Sequence, residues 1–513
     1  MRSSFQSSLH TLPQGEYYAA LYQKYLFETK ASLIDLKDPS LHFFTSADFD
    51  RKTYLRDLPP RDEFKGKGPK LVTVEMNAGL GSSLGVTEAN ASKASGVRFV
   101  AGSKENSILQ AKLAWYAKHA DRFTSLAIQP WNNHQTSLSW DAVLTQNSDL
   151  AKQLEKNGVK IFDHVLQAMF PRLKKDEAVP VDFGAEEKQK APGGHGQVLF
   201  QLYLDGLLER FLDDGYEVLV MANTDGLNST PDPFIADYMV KENILGGMVT
   251  TDRTPLDAKG GIVAIRDGKL ELIERAQVLE SQMNVFEHIG LNDGENPQPF
   301  NTNLIYINLK LLIAYLDTLR NQRGEEAVLA ALTPDLIVNR KKIKDGDVFR
   351  DVIQLEGAIG SVVLRFPNVK LFNLPAAQRA EGFTPVKTPP DVVYLYDSDA
   401  FRFDENSSQL HANVQGTFAA FHLTEWNGWK QLEETRAAFG HPGMRDLKSL
   451  AVMGEVVFPD AIFRGVVEII NHTGQRFDFS QFPRADRESG RLVFDNVRVI
   501  IDASGVKYES LQP

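Results

Sequence analysis

An α/β protein on a doubly wound, mostly parallel sheet is what this 513-residue sequence predicts, and three features carry the prediction. From Leu71 onward strand-like and helix-like runs alternate, as βαβ crossovers require. The strand-like runs end in Gly-, Asn- and Asp-rich loops, where sheets of this kind bind ligands. After about Pro390 the texture changes to short β-rich runs broken by Gly, Asn and Asp at near-regular spacing, as in a β-solenoid or β-helix. The length exceeds one ordinary core. The expected divisions are a helical segment over 1–67, an α/β core domain over 68–390 and a β-rich domain over 391–513.

In chain order, "GEYYAALYQKYLFETKASLIDL" spaces its apolar residues for a peripheral helix, and "RDLPPRDEFKGKGPK" reads as a linker. "LVTVEM" is a strand, "NSILQAKLAWYAKHA" a helix and "SLAIQP" a strand. "GQVLFQLYLDGLLERFLDDG" is expected as one long amphipathic helix, followed by "YEVLVMAN" as a buried strand and "PDPFIADYMVKEN" as a helix. "GGIVAIRDGKLELIERAQV" holds two alternating runs joined by Asp-Gly, a strong hairpin signal, and is expected to lean over an edge of the sheet. The runs "LAVMGEVVFPDAIFRGVVEIINHTGQRFDFSQF" and "GRLVFDNVRVIID" are the β-rich texture near the carboxyl end.

Composition narrows the function. The hydrophobic share of 42% is that of a soluble globular protein, and 56 Lys plus Arg against 67 Asp plus Glu leave a net charge of -11. That charge argues against nonspecific attraction to nucleic acid or an anionic membrane. With no cysteine there is no thiolate nucleophile, disulfide or Cys-ligated metal. The first residues lack the apolar core of a signal peptide and no apolar run approaches membrane-spanning length, so a cytoplasmic enzyme or binding protein is expected.

Three Gly- and Asp-rich loops carry the chemistry. "NAGLGSSLG" places Gly79, Gly81 and Gly85 in the pattern GxGxxxG, where backbone N–H groups can approach an anion and Ser82 and Ser83 can add hydroxyls. It lacks the Gly-Lys-Ser/Thr of a Walker loop and fits a dinucleotide fingerprint only loosely. "APGGHGQ" sets Gly194 and His195 at the start of a helix, suited to an anion or to a simple capping turn. "NTDG" puts Asn223 and Asp225 at the end of an apolar strand, where a carboxylate can hold a hard cation or merely form an Asx turn. Asn301 and Asn303 of "FNTN", with Glu356 of "LEGAIG", suit a hydroxyl-rich ligand or ordinary sheet-edge hydrogen bonding. Lys387 of "TPVKTPP" is held in a Pro-braced segment and could neutralise phosphate.

In order, these segments resemble the UTP-glucose-1-phosphate uridylyltransferase (UDP-glucose pyrophosphorylase) family of eukaryotic type, from about Leu71 to the carboxyl end. The family loop LNGGLGTSMG corresponds to Met76–Gly85, PPGHGD to Pro192–Gln197, and N-[IVT]-DNLGA to Asn223–Ser229. DVKGGT is similar to "DAKGGI" from Asp257, EIAQVP to "ERAQV" from Glu274, and FNTNN to "FNTNL" from Phe300. LETAxG is similar to "LEGAIG" from Leu355, and LPVKT to "TPVKT" from Thr384. The resemblance implies a Rossmann-like nucleotidyltransferase core and a C-terminal left-handed parallel β-helix. It implies UTP and glucose 1-phosphate as substrates, UDP-glucose and diphosphate as products, and magnesium at Asp225. It also leaves room for a homo-oligomer.

Carried over by position, Ala78 and Gly79 would meet uracil, with the loop through Gly81 and Gly85 bordering the phosphates. Gly194 and His195 would lie near base and sugar phosphate, and Asn223 and Asp225 on the nucleotide side. Gly260, Glu274, Asn301 and Asn303 would meet hexose hydroxyls, and Lys387 phosphate. Ala78 stands where the family has its first loop glycine, Gln197 where it has Asp, and Gly226 where it has Asn. The family's second lysine has no in-register counterpart, and Lys93 is the nearest. The rival readings are a UDP-sugar pyrophosphorylase using N-acetylglucosamine or galactose 1-phosphate, a nicotinamide-dependent oxidoreductase, and a non-catalytic nucleotide-sugar binder.

Overall fold

The computed structural model of the chain describes residues 2–28, 33–45, 47–48, 52–54, 58, 64–81, 84–86, 91–258, 260–291, 296–414, 418–481 and 487–512. Helix α1 (Gly15–Glu28) turns Tyr17, Tyr18, Leu21 and Tyr22 inward, a three-and-four spacing that makes one apolar face. Strand β1 (Gly68–Met76) is buried on both faces, with Leu71, Val72 and Val74 fully covered, as suits a strand between helical layers. After its loop come the one-turn helix α2 (Lys93–Gly96), α3 (Ile108–His119) and β2 (Phe123–Asn132). Ser107 starts α3 by accepting the Gln110 N–H.

The run expected as one long helix is two, α4 (Gln197–Leu204) and α5 (Leu207–Asp213). Gly206 between them adopts φ +64, a left-handed conformation that ends one helix and redirects the chain. Strand β3 (Val218–Asn223), α6 (Pro233–Lys241) and β4 (Gly246–Asp252) follow, α6 starting with Asp232 as cap and Pro233 in its first turn. The Asp-Gly hairpin joins β5 (Ile262–Arg266) to β6 (Lys269–Ile273). Asp267 at φ +47 and Gly268 at φ +76 supply the two left-handed residues of its turn. Next come β7 (Pro299–Asn308), the hairpin β8 (Leu336–Asp345) with β9 (Val348–Gly357), and β10 (Val369–Leu374).

The main sheet runs 52–54, β10, β4, β7, β3, β1, β2, 160–161. It is mostly parallel; β7 alone on this path runs antiparallel, against both β4 and β3. Register fixes where a site can form. Met76 lies opposite Asn223 on one side and Trp131 on the other, so three strands end on one line. Because β7 runs the other way, its first residues reach that same edge.

Near the carboxyl end, β11 (Ala420–Thr424), β12 (Leu447–Met453), β13 (Ile462–Asn471) and β14 (Arg491–Asp502) lie side by side in sequence order, all parallel. Strand β15 (Gly505–Ser510) closes the edge antiparallel to β14. Burial alternates along β13, with Phe463, Val467 and Ile469 inward, as the two-residue period of a strand dictates. These residues continue one of the two apolar layers that cover the main sheet. Among the described residues no helix is long and apolar enough to cross a membrane.

Candidate active site

The loop after β1 leaves the sheet at the line of strand ends. Asn77 is tied there by its N–H to the Trp131 carbonyl (2.9 Å) and by its amide to Asn132 Oδ1 (2.8 Å). The Asn133 amide donates to the Ala78 carbonyl (2.7 Å). Gly81 and Gly85 take φ +63 and +66, where a side chain is strained. Ala78 has no such conformation, so its methyl group costs the backbone nothing. A cavity of about 260 Å³ opens at this edge, lined by Ala78, Gly79, Lys93, Gly194, His195, Asn223 and Asp225 together with Trp131 and Gln167. Gly81 and Gly85 stand behind it: a Cβ on Gly81 would meet Lys93 Cα at 3.2 Å, and Gly85 abuts Gln431. Ser82 and Ser83 lie outside the described residues.

Lys93 turns into the site. Helix α2 starts with a Ser92–Ser95 capping box, and the Lys93 N–H donates to the Gly79 carbonyl (3.0 Å). Its Nζ donates to Asp225 Oδ2 (2.7 Å) and to the Val386 carbonyl (3.0 Å). Through its N–H and its ammonium together, one residue therefore joins the Gly-rich loop, the turn after β3 and the segment before Lys387. Asp225 is not the cap of α6, a role filled by Asp232.

Under this line lies a buried charge pair with little outward sign in the sequence. Glu75 and Lys112 are almost fully covered and 3.1 Å apart. Lys112 also donates to the carbonyls of Asn223 (2.7 Å) and Gly226 (3.2 Å), holding the turn that carries Asp225. Glu75 accepts from Thr224 (2.9 Å) and from the Tyr116 hydroxyl. Burial pushes the Lys112 amine below its ordinary range, while Glu75 opposes that shift. The available signal was the period-two Thr73 and Glu75 within an otherwise apolar strand, and a lysine on the buried face of α3.

The loop Pro192–Gly196 forms the opposite wall. Gly194 takes φ +80, and a Cβ there would lie 2.5 Å from the Gly357 carbonyl oxygen. Gln167 donates to the Gly194 carbonyl (3.1 Å). His195 is not the solvent-facing residue of a capping turn. Its Nδ1 accepts the Ile359 N–H (3.3 Å), and burial pushes its pKa down to about 4. The ring is neutral at working pH and keeps Nε2–H as a donor.

On the other side, Asn301 and Asn303 meet because of a bulge rather than simple alternation. The register of β7 against β4 shifts there and Asn303 takes φ +60; the Asn301 amide donates to Asn303 Oδ1 (2.8 Å), and Asn301 Oδ1 accepts the Asn303 backbone N–H (2.9 Å). The Asn301 N–H donates to the Gly261 carbonyl (3.0 Å), and Glu274 lies against Gly261. Burial pushes the Glu274 carboxyl up to about 7, with Lys387 pulling it down and Glu356 adding to the rise. Lys387 itself is exposed, its Nζ 5.1 Å from the centre of the Phe300 ring. Asp391 fixes its segment by accepting the N–H groups of Lys387 (3.0 Å) and Thr388 (2.7 Å). Lys387 and Gly260 line a second cavity of about 650 Å³ with Asp257 and Arg379.

Proteins that gather glycine loops, a carboxylate and lysines at such an edge handle nucleoside phosphates, and nucleotidyl transfer asks for little more than this charge and alignment. The family model for UTP--glucose-1-phosphate uridylyltransferase matches residues 16–463, and the chain belongs to that family. It is a nucleotidyltransferase that turns UTP and glucose 1-phosphate into UDP-glucose and diphosphate. UTP--glucose-1-phosphate uridylyltransferase 2 of Dictyostelium discoideum is 28% identical over 453 residues, 86% of this chain and 81% of its own length. The Saccharomyces cerevisiae enzyme is 26% identical over 482 residues, 93% of this chain and 87% of its own. Among solved structures, a Trypanosoma brucei UDP-glucose phosphorylase superposes with a TM-score of 0.76 at 25% identity, covering 98% of each chain. A Leishmania major UDP-glucose pyrophosphorylase variant in complex with UDP-glucose has the same fold, with a TM-score of 0.73 at 21% identity over 96% of this chain and 97% of its own.

Proposed function

We propose that the 260 Å³ cavity seats UTP, with uracil against the backbone of Ala78 and Gly79 and against Gly194 and His195. The triphosphate then runs past Asn223 and Asp225 toward Lys93 and Lys387, with Gly81 and Gly85 shaping the loop from behind. Glucose 1-phosphate sits on Gly260, Glu274, Asn301 and Asn303. The observation that carries this reading is the Lys93 ammonium bridging Asp225 and Val386, which brings three separate sequence segments to one point.

A phosphate oxygen of glucose 1-phosphate attacks the α-phosphorus of UTP in line. A P–O bond forms there as the bond to the α,β-bridging oxygen breaks, and diphosphate leaves with that electron pair. The nucleophile is already an anion, so no side chain need remove a proton. Alignment and relief of anion repulsion lower the barrier, and Lys93, Lys387 and loop N–H groups supply that relief. Asp225 would hold magnesium, which supplies further charge neutralisation on the phosphates. Among the described residues no group of three His, Asp or Glu forms a metal cage. One carboxylate suits magnesium, which takes most of its oxygens from substrate phosphate and water.

We also read the parallel ladder β11–β14 as the family's left-handed β-helix, and the chain as dividing at 67/68 and 390/391. Strand pairing in sequence order supports the first reading. A coupled diphosphate-release assay with UTP, magnesium and a panel of hexose 1-phosphates tests the site. Glucose 1-phosphate should give the highest kcat/KM. A higher value with galactose or N-acetylglucosamine 1-phosphate would reassign the hexose side.

A further inference from the structure

Helix α1 is far in sequence from every loop of the active site, yet its buried face ends on one of them. Tyr17 is fully buried, and its hydroxyl donates to the Gly193 carbonyl at 2.8 Å. Its ring lies between Phe170 and Phe200, with centroids 6.0 and 5.4 Å away. A Cβ on Gly193 would lie 2.7 Å from Tyr17 Cε1, and one on Gly357 would lie 3.1 Å from the Tyr17 hydroxyl.

Gly193 and Gly357 are themselves joined. The Gly357 N–H donates to the Gly193 carbonyl (3.0 Å), and the Gly196 N–H donates to the Gly357 carbonyl (2.8 Å). The Gly193 carbonyl therefore accepts from both β9 and α1. One residue before α1, Gln14 accepts a hydrogen bond from the Gln197 amide. Gln14 takes φ +53 there, a left-handed conformation unusual for a residue with a side chain. The contact falls on Gln197, the buried first residue of α4.

We infer that Tyr17 and Gln14 are positioning residues for the loop Gly193–Gln197, so that the amino-terminal helix sets the affinity of the site for uridine nucleotide. The inference rests on the seating of UTP proposed above. Gly194 and His195 wall the cavity and can hold their places only if the residues on either side are held. Packing alone anchors the ring of Tyr17; the hydroxyl adds direction, pinning one carbonyl. Loss of a buried hydrogen bond of this kind costs about 1 kcal/mol, close to a fivefold change in affinity.

The test is Tyr17→Phe, with Tyr22→Phe as its control. Tyr22 sits on the same helix, also fully buried, and its hydroxyl donates to the Ala178 carbonyl at 2.6 Å, outside the nucleotide cavity. UDP binding by calorimetry and the KM for UTP, the KM for glucose 1-phosphate and kcat are compared, with Tm recorded for each protein. Tyr17→Phe should raise the Kd for UDP and the KM for UTP about fivefold, with the glucose 1-phosphate KM and kcat within twofold of wild type. Tyr22→Phe should lower Tm by a similar amount and leave both UTP values unchanged. Gln14→Ala, at a half-exposed position, should raise the UTP values two- to threefold. Unchanged UDP affinity in both Tyr17→Phe and Gln14→Ala overturns the inference, as does an equal loss in Tyr22→Phe. Wild-type protein that does not bind UDP overturns the seating of UTP itself.

Discussion

Two side chains illustrate how neighbours set chemistry at the residue scale. Lys387 stands on a segment fixed by Asp391 and faces Phe300, with no ion pair at its ammonium among the described residues. Lys387→Ala should lower kcat about a hundredfold, the usual scale for one electrostatic contact made in a transition state. A loss below about threefold in the diphosphate-release assay would remove it from the mechanism. Glu274 titrates near 7 because it is buried, whereas an unfolded glutamate titrates near ~4.3. Between those values the folded chain holds a proton that the unfolded chain has released. Stability should therefore fall as pH rises from about 4 through about 7. Glu274→Gln should flatten that slope in urea titrations followed from pH 5 to 8. With Glu274 at the hexose as proposed above, the wild-type KM for glucose 1-phosphate should fall as pH passes 7, because an ionised carboxylate is the stronger acceptor for sugar hydroxyls.

Turns decide most at the scale of elements. Gly194 and Gly268 have nearly the same φ, +80 and +76, in different surroundings: the first faces the Gly357 carbonyl, the second open space. Gly268→Ala should cost about 1 kcal/mol, the strain of a left-handed alanine, and leave kinetics unchanged. Gly194→Ala adds a steric clash at the cavity wall and should raise the KM for UTP more than tenfold, with the far-ultraviolet circular dichroism unchanged. Both turns were legible in the sequence, Asp-Gly as a hairpin signal and Gly-Gly-His-Gly as the lead into a helix, but their different surroundings were not. Gly206 lies inside a run whose apolar spacing predicts one continuous helix; its left-handed φ splits that helix. The bulge at Asn303 had no comparable signal. It lies in the register of β7 against β4, and register depends on a partner strand distant in sequence, Thr250 opposite Asn301.

For the whole molecule, the joins between segments distant in sequence were the least legible. Asp257 and Arg379 form a fully buried pair, Nη2 to Oδ1 at 2.8 Å, joining the turn after β4 to the segment that precedes Lys387. Removing one partner leaves a buried charge alone. Arg379→Met should cost about 3–5 kcal/mol in urea unfolding, and adding Asp257→Leu should recover a large part of it. Neither residue stood out in the sequence, since charge pairing across 122 positions leaves no local pattern. The strand-helix alternation and the loop motifs did stand out, because they repeat physical rules over short windows. The buried Glu75–Lys112 pair and the Tyr17 contact did not, because each is defined only once the sheet has formed.

The docking of α1 bears on how the chain folds as it is made. Lys24 donates to the Pro334 carbonyl, 310 positions later, and Tyr17 rests against Gly193 and Gly357. During synthesis the helix emerges long before the surface it covers, and its row of tyrosines must wait in the open until the β8–β9 hairpin has left the ribosome. Contacts this distant in sequence form slowly. The wall formed by Gly193–Gln197 should therefore be late to mature, and a chain released before residue 357 would be left with that wall unbraced.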